Sequence, residues 1–144
     1  MNEGYKFLEN IAIADLAFEV NAKSIEDLFR FAGKAITNAM VLNLDSIEKK
    51  EIREFEVIAQ DLELLLFNFL QELIYYKDTE NILFSEFEIK IFIDNKKVAK
   101  VKAYGEKLDP KKHDTLVDVK AVTMHMFELK EKNGNWYARV ILDV

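Results

Sequence analysis

The dipeptide Asn133-Gly134 constrains the possible folds of this chain more than any other short stretch. Both positions of a tight two-residue hairpin turn need positive φ, which Asn and Gly adopt at little cost. The flanking segments, 117–129 and 136–144, are rich in β-branched and aromatic residues. We therefore predict an antiparallel β-hairpin centred on this turn.

The turn also predicts how the two strands pair. Counting outward from Lys132 and Asn135 places Glu128 opposite Arg139, an ion pair that supports the register. Three further pairs follow in the same register: Phe127 with Val140, His125 with Leu142, and Met124 with Asp143. Alternation then predicts that His125 packs in the core and that Lys120 shares the outer face with Asp143.

The rest of the chain predicts two helices and four further strands. Ser24 and Asp61 are predicted helix N-caps, each followed by apolar residues at helical spacing. The predicted elements are a strand in the second half of 5–20, a helix from 24 to about 42, a strand at 51–59, a helix at 62–77, and strands at 81–93, 97–105, 117–129 and 136–144. We expect an α+β fold, with two helices packed on one face of a mostly antiparallel mixed sheet. The charged loop 106–114 is expected to be a mobile surface segment.

Composition limits the class of protein. The chain has 144 residues, no cysteine and a net charge of −6. The length predicts a single domain over 1–144, and the acidity argues against broad binding of nucleic-acid backbones. The absence of cysteine rules out disulfides and thiolate metal sites. No signal peptide is recognisable, and the apolar stretch 62–76 is too short and too polar to span a bilayer. We expect a cytoplasmic protein that has no contact with membranes.

The standard catalytic motifs are missing from this sequence. It has four glycines and contains no phosphate-binding loop, nucleophile elbow or spaced cluster of metal ligands. One group of acids remains of interest. Asp15 and Asp143 would meet, beside the carboxylate of Val144, if the strands that carry them are neighbours. Such oxygen ligands suit calcium, magnesium or manganese. The alternative interpretation is two exposed acids at strand ends.

Several stretches of the sequence resemble the archease family. The resemblance covers about Phe7 to Val144, with the motifs in the family's order. The stretches that carry it are the Ala14-Asp15 pair, Ser24-Ile25-Glu26-Asp27-Leu28-Phe29, Asp78-Thr79-Glu80, Leu83-Phe84-Ser85-Glu86-Phe87-Glu88-Ile89, Gly105-Glu106-Lys107-Leu108-Asp109-Pro110 with His113, Val119-Lys120-Ala121-Val122-Thr123-Met124-His125, and Ala138-Arg139-Val140-Ile141-Leu142-Asp143-Val144.

The resemblance implies an accessory protein rather than an enzyme. Its partner would be the GTP-dependent RNA ligase that joins 2′,3′-cyclic phosphate or 3′-phosphate ends to 5′-hydroxyl ends, chiefly of tRNA halves. The accessory protein would promote guanylylation of the ligase and so allow repeated turnover. The resemblance further implies a divalent metal, calcium before magnesium or manganese, bound by Asp15, Asp143 and Val144. Lys120 would be a functional side chain near the contact with the ligase, and RNA would be bound only indirectly.

The chain departs from the family pattern at two places, and two other functions stay open. Family members often carry His-Thr-Ala-Asp where this chain has Ala12-Ile13-Ala14-Asp15, so any role of that histidine is absent here. Asn21-Ala22 replaces a common Tyr-Gly, which is expected to change only a turn. The alternative functions are a metal-dependent hydrolase or phosphotransferase built on the same acids, and a chaperone-like interaction module.

Overall fold

The computed structural model describes residues 3–8 and 15–144. Within those ranges the chain forms seven β-strands, two α-helices and one turn of 3-10 helix at Leu44–Ser46. The helices are α1 at Ile25–Met40 and α2 at Leu62–Glu80. The strands are β1 Gly4–Leu8, β2 Asp15–Ala22, β3 Glu51–Ala59, β4 Ile82–Ile93, β5 Lys97–Lys107, β6 Ala121–Lys132 and β7 Asn135–Asp143. Neither helix in this part of the chain is long and apolar enough to cross a membrane.

The strands form two sheets in which all neighbours are antiparallel. One sheet has the order β1-β2-β7-β6, and the other has the order β3-β5-β4. The predicted α+β class and the antiparallel pairing are confirmed, although the strands are divided between two sheets and β1 was not predicted. The first predicted strand was the second half of 5–20, and the part of it before residue 15 lies outside the described residues. The division arises because β2 pairs with the distant β7 while β3 pairs with β5, and such pairings leave no local pattern.

Both helices begin at the residues that the sequence predicts. The Ser24 hydroxyl accepts a hydrogen bond from the main-chain N–H of Asp27, and the Asp61 carboxylate accepts one from that of Leu64. These bonds satisfy N–H groups that have no partner within the helix. α2 continues three residues past its predicted end at Lys77 and is then closed by Asn81, whose φ of 56° places it in the left-handed region.

One hydrophobic core joins the two sheets and the two helices. α1 contacts β2 and β4, and α2 contacts β3 and β6. The largest fully buried side chains include one phenylalanine from each of β2, α1, α2 and β4: Phe18, Phe29, Phe69 and Phe84. Burial of one such ring contributes about 1.5–3 kcal/mol. The core therefore holds the facing surfaces of both sheets in a fixed arrangement.

The C-terminal hairpin forms at the predicted turn but loses its predicted register beyond Glu128. Lys132 pairs with Asn135 and Glu128 with Arg139, as expected. A bulge then shifts the pairing, and the pairs beyond it are Thr123 with Ile141, Val122 with Leu142 and Ala121 with Asp143. His125 is consequently exposed within the bulge, and the predictions that it packs in the core and that Met124 faces Asp143 are wrong.

The bulge has a local conformational cause. Met126 adopts a φ of 55°, which a non-glycine residue rarely does, and its carbonyl accepts a hydrogen bond from Arg139 Nε at 3.0 Å. The extra residues leave the ladder and let Phe127 return to the core beside Phe67 of α2. This conformation depends on contacts that are distant in sequence, so alternation could not indicate it.

The segment 106–114 was predicted to be a mobile surface loop. Two of its residues, Glu106 near the end of β5 and His113 beyond it, are buried instead. Glu106 and His113 are buried at 6% and 1% exposure. His113 Nδ1 accepts the main-chain N–H of Asp109 at 2.9 Å, and its Nε2 lies 2.8 Å from Glu106 Oε1. Since Nδ1 accepts a hydrogen bond, Nε2 carries the proton and donates it to Glu106. The loop is thus tied to the end of β5.

Candidate functional site

Asp15 and Asp143 lie directly opposite each other in neighbouring strands. β2 pairs with β7, which confirms the expectation that the strands of these two residues run side by side. The pair Leu16 and Leu142 and, two positions on, the pair Phe18 and Val140 point their side chains into the core. Successive side chains of a strand point to opposite faces. The two carboxylates therefore share the face turned away from the core, with Cβ atoms about 5 Å apart. Asp15 is half-buried, and Asp143 is exposed.

Asp143 is flanked on its other side by the start of β6. Ala121 is its partner there, and the main-chain N–H of Lys120 donates to the Asp143 carbonyl at 2.8 Å. The Lys120 backbone thus lies next to Asp143, but Ala121 takes the ladder position opposite Asp143, so the register that predicted a shared outer face for Lys120 and Asp143 is wrong. The Lys120 side chain is exposed. The arrangement brings two carboxylates and the Lys120 main chain together at one end of the four-stranded sheet.

Helix α2 holds the segment that carries Lys120. Gln71 Oε1 accepts the main-chain N–H of Val122 at 2.8 Å, and Lys77 Nζ contacts Asp118 Oδ1 at 2.6 Å. Burial of Lys77 works against its charged form, but hydrogen bonds to Asp118 and Asp78 outweigh that effect and raise its pKa. Lys120 lies between these two attachments. Gln71 is one of several polar residues in α2, so nothing in the sequence singled out these attachments.

The carboxylate oxygens of Asp15 and Asp143 suit a hard cation that takes only some of its ligands from the protein. Two carboxylates supply oxygen ligands, whereas no group of three His, Cys, Asp or Glu residues lies together among residues 3–8 and 15–144. Calcium, magnesium and manganese all prefer oxygen, and magnesium in particular keeps several waters. Val144 follows Asp143 directly and packs its half-buried side chain against the core. A partly hydrated ion is therefore the kind that these residues fit.

The next row on the same face is closed to solvent. Ala17 and Ile141, which pair with each other, are 1% and 0% exposed. Thr123, the other partner of Ile141, has a hydroxyl that is buried without a hydrogen-bond partner in the described chain. The carboxylate pair thus borders a buried row of the sheet.

Neither histidine belongs to this group of residues. Both ring nitrogens of His113 are engaged, one by Asp109 and one by Glu106. His125 is exposed in the β6 bulge. Ala12, Ile13 and Ala14, which replace the family's His-Thr-Ala, lie outside the described residues. The candidate site among the described residues therefore comprises the two aspartates, Lys120 and the residues that hold their main chains.

Almost the whole chain matches a known protein family. Residues 5–144 match the profile of the Archease protein family. Protein archease of Pyrococcus abyssi is 41% identical over 133 residues, covering 91% of this chain and 93% of that protein. Protein archease of Pyrococcus furiosus is 38% identical over the same shares of the two chains.

Two solved structures share the fold. The solution structure of Methanobacterium thermoautotrophicum protein 1598 aligns with a TM-score of 0.84 at 35% identity, covering 98% of this chain and 99% of that one. The crystal structure of an archease from Thermotoga maritima, described as a possible chaperone, aligns with a TM-score of 0.61 at 18% identity, covering 91% of each chain. The second likeness concerns the fold alone.

Proposed function

This chain belongs to the archease family, and from that premise we propose that it is an accessory protein of the GTP-dependent RNA ligase of tRNA splicing and RNA repair. That ligase joins 2′,3′-cyclic phosphate or 3′-phosphate ends to 5′-hydroxyl ends. The accessory protein promotes guanylylation of the ligase, allows repeated turnover and reaches RNA only through its partner. The observation that carries the proposal is the pairing of Asp15 with Asp143 across β2 and β7.

The proposal gives each site residue a role. Asp15 and Asp143 hold a divalent cation, calcium before magnesium or manganese, with the main-chain oxygens of Val144 contributing. Two carboxylates this close repel each other, so a shared cation relieves the repulsion. When bound, the cation supplies positive charge for phosphate oxygens. Lys120 adds a second positive charge, and the backbone bond to Asp143 holds its main chain beside the aspartates.

These residues fit an accessory role better than a catalytic role. A hydrolase or phosphotransferase needs a base or a nucleophile beside its metal. His113 has no free ring nitrogen, and no histidine or third acidic side chain joins the aspartates in the described chain. The remaining groups can position phosphates and stabilise their charge, which is the help that a partner's active site could use.

The test is a guanylylation assay with purified ligase, GTP and this protein. Asp15→Asn, Asp143→Asn and Lys120→Met should each lower the stimulation of guanylylation by at least about tenfold, because each removes one charge from the group. Asp94→Asn and Lys96→Met make the same chemical changes at exposed positions of the β4–β5 turn and serve as matched controls. Both controls should stimulate like the wild type.

The outcome can contradict the proposal in two ways. Stimulation that is unchanged in all three site variants would remove these residues from the mechanism. A wild-type protein that neither binds the ligase nor stimulates it would remove the function itself.

A general chaperone activity is the second candidate. It is favoured by exposed apolar side chains at one end of the three-stranded sheet, where Ile58, Phe92 and Ile93 are 55%, 44% and 53% exposed. Suppression of the aggregation of an unrelated protein, equal with and without divalent metal, would support this candidate over the first.

A further inference from the structure

Thr123 lies on the same face of the four-stranded sheet as the two aspartates. Two neighbouring rows of paired residues cross β2, β7 and β6 there: Asp15, Asp143 and Ala121, and beside them Ala17, Ile141 and Thr123. Residues that pair in a ladder share a face, and so do residues two positions apart in one strand. Thr123 is therefore the diagonal neighbour of Asp143 across the β6–β7 pair.

The hydroxyl of Thr123 is buried without a hydrogen bond. Its Oγ1 atom is shielded from solvent and has no partner in the described chain. A buried hydroxyl in this state costs free energy, and most buried polar groups in folded proteins are paired. Because solvent does not reach this oxygen, the missing partner must be a protein group that moves toward it.

Asp143 supplies the acceptor that fits this hydroxyl. Three of the described neighbours of Thr123 on this face are apolar: Ala17, Ala121 and Ile141. Arg139, the other diagonal neighbour in β7, has only hydrogen-bond donors in its side chain. His125, two residues further along β6, is exposed in the bulge, whereas the Thr123 hydroxyl is shielded. The Asp143 carboxylate is thus the nearby side-chain acceptor on the face of Thr123.

The carboxylate of Asp143 can reach the hydroxyl by a change of rotamer. The Cβ atoms of diagonal neighbours lie about 7 Å apart, and an O–H···O hydrogen bond needs about 2.7 Å between its oxygens. The two side chains span the rest of that distance when they turn toward each other. The Asp143 main chain is held by the N–H of Lys120, but its side chain is exposed and able to turn.

A cation at the two aspartates gives Asp143 a reason to turn. The neighbouring carboxylates of Asp15 and Asp143 repel each other, which favours rotamers that point apart. A shared cation removes that repulsion. Carboxylates that bind metal ions commonly accept hydrogen bonds from neighbouring groups, which fix their orientation.

We propose that Thr123 is a positioning residue of this cation site, and that its hydroxyl donates to the Asp143 carboxylate when the cation is bound. The inference rests on the proposed function and adds a residue that is not itself a ligand. The hydroxyl gains its partner only together with the cation. Removing it therefore weakens cation binding without weakening the fold of the cation-free protein.

Thr123→Val tests the proposal because valine keeps the shape of threonine and lacks the hydroxyl. In a calorimetric titration of calcium into the full-length protein, Thr123→Val should raise the Kd by about tenfold or more, as loss of a group that orients a metal ligand does. In EDTA its Tm should equal or exceed that of the wild type, because an unpaired buried hydroxyl is removed. Thr123→Ser keeps a hydroxyl and should bind calcium with the wild-type Kd.

Thr37→Val is the matched control, since it makes the same change at a hydroxyl that has a partner. Thr37 is 3% exposed, and its hydroxyl donates to the Phe84 carbonyl where α1 packs on β4. Thr37→Val should lower the Tm both in EDTA and in calcium, and it should keep the wild-type Kd for calcium. The two valine variants are thus expected to show opposite patterns.

Three results would overturn the proposal. The first is a wild-type Kd for calcium in Thr123→Val. The second is a fall in the Tm of Thr123→Val in EDTA as large as that of Thr37→Val, because the hydroxyl would then have a partner without the cation. The third is an equal loss of calcium affinity in Thr123→Ser. Thr123→Ala also lacks the hydroxyl and supplies the comparison of Kd values if Thr123→Val does not fold.

The results also separate this proposal from the proposed function. Wild-type protein that binds no calcium contradicts the cation site and the role of Thr123 together. Wild-type protein that binds calcium, with a Thr123→Val variant that binds it equally well, contradicts the role of Thr123 alone. Loss of calcium affinity in Thr123→Val, in a protein whose wild type does not stimulate the ligase, supports the role of Thr123 and contradicts the proposed function.

Discussion

Replacing Glu106 with glutamine tests how the loop that leads to the site is held. The Glu106 carboxylate is buried and accepts hydrogen bonds from Lys112, the main-chain N–H of Glu48 and His113. Burial alone would raise its pKa, but these bonds outweigh burial and lower the pKa from 4.5 to about 2. Glutamine has the same shape but lacks the charge that Lys112 and the other donors stabilise.

The pKa gives the size of the effect. The difference between 4.5 and about 2 corresponds to about 3.4 kcal/mol of folding free energy at neutral pH. Lys112 is 33% exposed, so solvent screens part of its attraction, and a loss of about 2 kcal/mol is expected. Because the pKa of Glu106 is lower in the folded state, this stability is fully present above pH 4.5 and is lost as the pH falls toward 2.

The assay is urea unfolding of the wild type and Glu106→Gln at several pH values between 7 and 3, followed by circular dichroism. The variant should be less stable by about 2 kcal/mol at pH 7, and the difference should shrink below pH 4.5. Glu131→Gln, at an exposed position of β6, is the control and should match the wild type throughout. Equal stability of Glu106→Gln and wild type at pH 7, or a difference that stays constant down to pH 3, would refute the reasoning.

Two further changes probe the scaffold of the site. Gln71→Leu leaves the Val122 N–H without an acceptor and should lower the free energy of unfolding by about 1–3 kcal/mol and reduce stimulation of the ligase. Gln71→Glu keeps an acceptor and should retain both, whereas equal behaviour of the two variants would contradict the role of this bond. Gly105→Ala places a Cβ 1.8 Å from the Leu83 carbonyl oxygen and should destabilise the fold by about 1–3 kcal/mol in the same urea assay. Wild-type stability of Gly105→Ala would show that β4 relaxes freely there.

The features that the sequence predicted correctly depend on local conformation. The turn at Asn133-Gly134 needs positive φ at both residues, and these residues adopt φ values of 54° and 80°. Ser24 and Asp61 cap helices because a short polar side chain reaches N–H groups two or three residues ahead. The strand at Glu51–Ala59 has its predicted bounds because its alternation is regular.

The features that it missed depend on contacts between distant residues. The β6 bulge is held by Arg139, thirteen residues from Met126, and nothing in a run without glycine indicates a positive φ there. His113 is buried because its ring accepts a hydrogen bond from the main-chain N–H of Asp109 and donates one to the Glu106 carboxylate. The pairing of Asp15 with Asp143 was expected from the resemblance and from the strand ends, whereas the attachments at Gln71 and Lys77 become visible only when α2 lies against β6.

The most direct test of the central claim is a calorimetric titration of calcium into four proteins: the wild type, Asp15→Asn, Asp143→Asn and the double variant. If the two aspartates share one ion, the wild type binds one calcium per chain, each single variant loses affinity by at least about tenfold, and the double variant loses less than the sum of the two single losses. Wild-type affinity in either single variant, or losses that simply add, would contradict a shared site.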